Sequence, residues 1–104
     1  MPRHSVYTEY VFEWDPRKAE ANAAKHGVSF DDAVTVFLDG HALDGSDVQH
    51  STAEMRFLRL GRGADGRVLM VAYTLRRSGD AETIRIISAR RASRRERAAY
   101  GARD

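Results

Sequence analysis

RVLMVAYTLRRSGDAETIRIISAR, residues 67–90, is the stretch on which the fold turns. Residues 67–75 are almost continuously apolar, as a central strand should be. Residues 82–90 alternate instead: Ile84 and Ile86 fall on one side and Arg85 on the other, so this strand buries one face and presents the other. Between them, Arg77-Ser78-Gly79-Asp80 supplies turn chemistry and predicts a hairpin. MRFLRLGR at 55–62, joined to the central run through Gly63-Ala64-Asp65-Gly66, predicts a third strand and hence a meander.

Working outward, YVFEW at 10–14 is short, aromatic and β-branched, which predicts another strand. Asp15-Pro16 then offers an N-cap with proline at the first helical position, and the alanine-rich run to His26 stops at Gly27. Ser29-Phe30-Asp31-Asp32 reads as a capping box, with Val28 and Ala33 placed as its hydrophobic staple. Phe30, Ala33, Val34 and Phe37 follow at helical spacing until Asp39-Gly40 ends the pattern. Residues 41–53 have no period and predict a loop with room for an edge strand. Ser93-Arg94-Arg95-Glu96 is a further capping box and opens a helix through Tyr100. The order predicts an α+β domain: an antiparallel sheet, two N-terminal helices packed on one face, and a short C-terminal helix. Residues 1–9 stand as an N-terminal extension to a single domain spanning 10–104.

With 104 residues, 42% of them hydrophobic, the chain has material for one core. It has no cysteine, no run of eighteen apolar residues and no signal-peptide pattern, so a disulfide scaffold, a membrane span and secretion lack support and a cytoplasmic protein is expected. The formal charge of +2 conceals an asymmetry. Residues 1–75 carry eight Lys/Arg against eleven Asp/Glu, whereas residues 76–104 carry nine arginines against four acids. Fifteen of the seventeen basic residues are arginine, whose planar fork pairs with phosphate or carboxylate, so a phosphate-rich or acidic partner is indicated.

Phe12-Glu13-Trp14-Asp15, Lys18-Ala19, Asn22 and Lys25-His26-Gly27-Val28-Ser29-Phe30 resemble the opening of the BrnT family of toxins. The second half is similar again, through Glu54, Arg56-Phe57, Gly61, Gly66-Arg67, Tyr73-Thr74, the run from Ile84 to Ala92, Arg95-Glu96-Arg97 and Tyr100. KHGVSF and RIISARRA together make the likeness specific, over about residues 11–100. The resemblance implies a RelE-like fold and a ribonuclease toxin of a type II pair that blocks translation. It further implies a BrnA-type antitoxin in a hetero-oligomer, with operator DNA reached only through the antitoxin. Residues 1–9 and the longer turns at 63–66 and 77–82 depart from that pattern.

The chemistry can be posed without the resemblance. Metal-free RNA cleavage uses the adjacent 2′-hydroxyl as nucleophile, so a protein must supply a base, a donor for the leaving 5′-oxygen and positive charge for the phosphorane. Arg85 and Arg90 are the expected stabilisers of that charge, with Lys25, His26, Arg56 and Arg76 around them and Tyr73 as a further acid–base candidate. Arg56 and Arg59 differ in parity, so only one can share a face with Arg85. Arg91, Arg94, Arg95 and Arg97 are expected to hold RNA or the antitoxin. His41, Asp44, Asp47 and His50 recur every three residues, but Gly45-Ser46 argues for a loop and against a metal site. No cofactor is expected. A non-catalytic, arginine-rich module that docks nucleic acid or an acidic protein uses the same side chains and is the alternative.

Overall fold

The computed structural model describes residues 3–7, 10–79 and 81–102. Six strands form one sheet: β1 (Arg3–Tyr7), β2 (Tyr10–Trp14), β3 (Leu43–Ser46), β4 (Phe57–Arg62), β5 (Val68–Ser78) and β6 (Ala81–Arg91), in the spatial order β1-β2-β6-β5-β4-β3. The β4-β5-β6 meander is antiparallel, as the turn residues predict. β2 lies parallel to β6, pairing Phe12 with Ile84 and Glu13 with Arg85, so the sheet is mixed and not antiparallel throughout. The reason is topological: a tight hairpin forces antiparallel neighbours, whereas β2 and β6, separated by two helices and three further strands, can meet in either direction. β1 adds to the outer edge of β2, and β3 is the edge strand allowed for in the 41–53 loop.

Three helices follow from local capping. α1 (Pro16–His26) starts where the Asp15 carboxylate accepts from Arg17 N and stops at Gly27, whose φ of 67° suits the one residue without a Cβ. α2 (Phe30–Thr35) is opened by the Ser29 hydroxyl, which accepts from Asp32 N, and tightens into a 3₁₀ turn at Val36–Leu38. α3 (Arg94–Gly101) has both halves of its capping box, Ser93 accepting from Glu96 N and Glu96 accepting from Ser93 N.

The main core lies between α1, α2 and one sheet face, where Phe12 and Trp14 meet Val28, Phe30, Phe37, Val71, Ile84 and Ile86. Trp14 sits edge-on to Phe30, and Phe12 edge-on to Phe37. Asn22 fastens α1 to the sheet: its buried amide donates to Val28 O and Ala89 O and accepts from Ala89 N at 3.1 Å. Gly61 permits the close approach of β4 to the 3₁₀ turn, since a Cβ there would meet Val36 Cγ1 at 2.8 Å. A smaller core on the opposite face joins Leu60, Val68 and Ala92 to Tyr100 of α3, whose hydroxyl donates to Asp39 at 2.6 Å. α3 therefore covers one end of the second face and leaves the rest open.

Candidate active site

Arg90 follows Arg85 by an odd number of positions, so a regular strand would send them to opposite faces. A bulge prevents this. Tyr73 pairs with Ile86 and Ala72 with Ser88, leaving Ile87 as an extra residue in β6. Downstream of it the parity is reset: Ile84, Ile86 and Ala89 all enter the main core, while Arg85, Ser88 and Arg90 share the other face. Across the meander the same face carries Thr74, Ala72 and Met70 of β5 and Leu58 of β4. Arg76 is also on it by register, opposite Thr83.

Arg56, two residues before Leu58, joins this face, whereas Arg59 does not. Arg59 lies over the Phe37 ring on the helical side and donates to Val36 O, Asp39 O and Asp44. Arg56, Ser88 and Arg90 line a cavity of about 380 Å³ on the open face, together with Asp47 and His50 from the loop that follows β3.

Most of these arginines are held by carboxylates. Arg85 Nη1 lies 3.3 Å from Glu13, directly across the β2-β6 pair. Arg76 Nε lies 3.3 Å from Glu54. Arg90 makes a bidentate pair with Glu96 at 2.8 and 2.9 Å. That pair raises the Arg90 pKa, and the Arg90 bond, aided by Ser93 N and opposed by burial, holds the Glu96 carboxyl down at about 2. The capping glutamate of α3 thus orients a guanidinium of β6. Arg56 has no carboxylate partner among the described residues, and its Nε is buried without a hydrogen-bond acceptor. Thr74 Oγ1, on the same face opposite Arg85, is likewise buried without a partner. Orphaned polar atoms of this kind are uncommon in folded proteins, and each calls for a partner such as a water, an ion or a ligand.

The remaining candidates fall elsewhere. Lys25 and His26 end α1, the helix that covers the opposite face, so the expectation that they surround Arg85 and Arg90 is not met. Tyr73 is corrected for the same reason. Its ring stacks on Phe57 within the main core, and burial first, then its bond to Asp44 at 2.9 Å, push the phenol well above its ordinary pKa. Its hydroxyl is thus turned to Asp44 and its ring into the main core, away from the open face. Arg91 and Arg97 line a second cavity of about 360 Å³ beside Arg62, Arg67 and Tyr100, while Arg94 and Arg95 are exposed on α3. The His/Asp series from 41 to 50 is divided among separate bonds: Asp44 serves Arg59 and Tyr73, and Asp47 holds His50. No group of three or more such residues able to hold a metal occurs among the described residues. His50 is the residue of this cavity that its sequence context concealed: spacing in an irregular loop gives no direction to a side chain.

The family described as "Ribonuclease toxin, BrnT, of type II toxin-antitoxin system" matches residues 14–96. The chain belongs to the BrnT family. The crystal structure of the Brucella abortus ribonuclease toxin BrnT is similar in fold, with a TM-score of 0.56 and 25% sequence identity over 78% of this chain and 94% of that one. No curated protein matches the chain significantly. BrnT membership makes this a toxin of a type II toxin–antitoxin system, of the ribonuclease kind, and implies an antitoxin partner. The match spans Arg56, Arg76, Arg85 and Arg90 of the open face and ends within α3. No helix among the described residues is long and apolar enough to cross a membrane.

Proposed function

We propose that the open face is the active site of a metal-independent endoribonuclease that cuts RNA by 2′-hydroxyl transesterification and so arrests translation in the cytoplasm. The observation that carries this reading is the bulge at Ile87, which gathers Arg85 and Arg90 onto the face that already holds Arg56 and Arg76. Arg85 and Arg90 stabilise the developing phosphorane; Arg56, with its unpaired and buried Nε, draws the scissile phosphate; Arg76 holds a neighbouring one. Carboxylate partners hold the guanidinium planes of Arg76, Arg85 and Arg90 in place before substrate arrives, so little order of these three side chains is left to impose during the reaction.

Arg91, Arg94, Arg95 and Arg97 lie at or beyond the end of β6 and contact RNA or the antitoxin. A BrnA-type antitoxin covers this basic end or the open face, and the toxin meets operator DNA only through it. A RelE-like relationship of the fold belongs to the same reading. Incubating antitoxin-free protein with a defined RNA in EDTA, and separately with translating ribosomes, is the test. Cleavage to 2′,3′-cyclic phosphate ends supports the reading. Intact RNA in both settings leaves the arginine-rich docking module in its place, and a requirement for added divalent ion overturns the metal-independent mechanism.

A further inference from the structure

The open face still wants a general base not engaged by an arginine, since Lys25, His26 and Tyr73 belong to the other side of the sheet and the carboxylates Glu13, Glu54 and Glu96 are each paired with an arginine. The Asp47–His50 pair supplies one. We propose that His50 is the general base of the cleavage reaction and Asp47 the residue that positions it, an inference that rests on the ribonuclease reading of this face.

The short 3₁₀ turn Val48–His50 brings His50 Nδ1 to 2.9 and 3.0 Å from the two carboxylate oxygens of Asp47. With its hydrogen on Nδ1 donated to Asp47, a neutral imidazole keeps its lone pair on Nε2, free for an incoming hydroxyl. The loop does not float. Asp47 N donates to Arg56 O at 2.8 Å, and the Ser51 hydroxyl donates to Asp47 O at 2.8 Å while accepting from Arg56 N at 3.0 Å. The dyad is therefore tied to the residue whose own Nε is buried and unpartnered in the same cavity. The His50 side chain is 63% exposed, which leaves it open to a substrate lying along the groove. The charged groups that share this cavity with the imidazole are Asp47, Arg56 and Arg90, the last held by Glu96 of α3.

In the step assigned to it, Nε2 takes the proton of the 2′-hydroxyl as the bond from O2′ to phosphorus forms. The bond from phosphorus to O5′ breaks, and its electron pair leaves with the 5′-oxygen, which is protonated by a water molecule. The imidazolium then returns its proton to the hydroxide left behind, so the products are a 2′,3′-cyclic phosphate and a 5′-hydroxyl. No redox change and no metal is involved.

The test uses the full chain, freed of antitoxin, with a short RNA in EDTA. His50→Ala should lower kcat by about two to four powers of ten with little change in KM, the range typical of a general base. The acid limb of the wild-type kcat/KM profile should vanish in His50→Ala, and added imidazole should restore part of the lost rate. Asp47→Asn should lower kcat without raising KM and displace that limb. Thermal melting checks that each variant is folded; His50 is exposed, so its replacement should leave the midpoint unmoved. If wild-type protein cleaves and Arg85→Ala does not, while His50→Ala keeps its kcat, the assignment of His50 is overturned and the site stands. A slow His50→Ala with an unaltered acid limb and no imidazole rescue also overturns it. An inert wild type overturns the ribonuclease reading and this inference with it.

Discussion

One strand, β6, serves two regions that obey different rules. On the helical face, Ile84, Ile86 and Ala89 are buried beneath α1 and α2 with Phe12, Phe30 and Phe37, and the buried Asn22 amide is satisfied by Val28 O and the backbone of Ala89. On the open face, Ser88 and Arg90 line a cavity, Arg85 shares their face, and Thr74 Oγ1 and Arg56 Nε lack partners among the described residues. On the proposed reading, the contrast puts stability and chemistry on opposite sides of the same backbone. Altering one face should change folding, and altering the other should change turnover.

The largest effects should come from one replacement on each side. Asn22→Ala removes three buried hydrogen bonds and leaves the Ala89 and Val28 groups unsatisfied, which should cost about 3 kcal/mol in denaturant unfolding. Turnover per folded molecule should hold. Arg85→Ala should lower RNA cleavage by about two to three powers of ten while the chain stays folded, with a loss of about 1–3 kcal/mol because the pair it breaks with Glu13 is only 22% and 15% exposed. The division between the faces breaks if Asn22→Ala is inactive though folded, or if replacing Lys25 or His26 abolishes cleavage without unfolding.

A smaller effect should mark the link between α3 and the open face. Glu96 titrates at about 2 in the folded chain against an ordinary 4.5, chiefly through Arg90, so ionised Glu96 stabilises the fold above pH 4.5. That contribution is lost as pH falls from 4.5 towards 2. Because Arg90 is nearly half exposed, solvent screening should limit it to about 1 kcal/mol. Unfolding midpoints measured across that window should fall more steeply for wild type than for Glu96→Gln. Equal slopes would uncouple α3 from the site.

The smallest effect concerns the exposed end of α3. Arg95→Ala should weaken RNA binding and reduce the slope of log affinity against log salt by about one unit, a signature of one lost phosphate contact. An unchanged slope would assign Arg95 to the antitoxin.

Much of this molecule is local and therefore legible along the chain. The Asp15, Ser29 and Ser93 caps, the Gly27 stop and the apolar run of β5 each depend on residues within a few positions, so the boundaries of α1 and β2 and the β4-β5-β6 meander can be read from them. The alternation of Ile84, Arg85 and Ile86 likewise assigns Arg85 to the face away from the core, and the opposite parities of Arg56 and Arg59 part them. Tertiary structure decided what depends on distant partners. The parallel pairing of β2 with β6 joins strands far apart in the chain, which no hairpin turn dictates. The bulge at Ile87 arises from matching β6 to β5 while both keep a buried face, and only that one-residue slip places Arg90 beside Arg85. Lys25, His26 and Tyr73 carry suitable functional groups, yet α1 packs on the helical face and Tyr73 points into the core. His50 lies in a loop without period, and its direction comes from Asp47 and from bonds that tie the loop to Arg56. Side-chain chemistry belongs to the residue itself, but the face it occupies is set by the sum of contacts across the sheet.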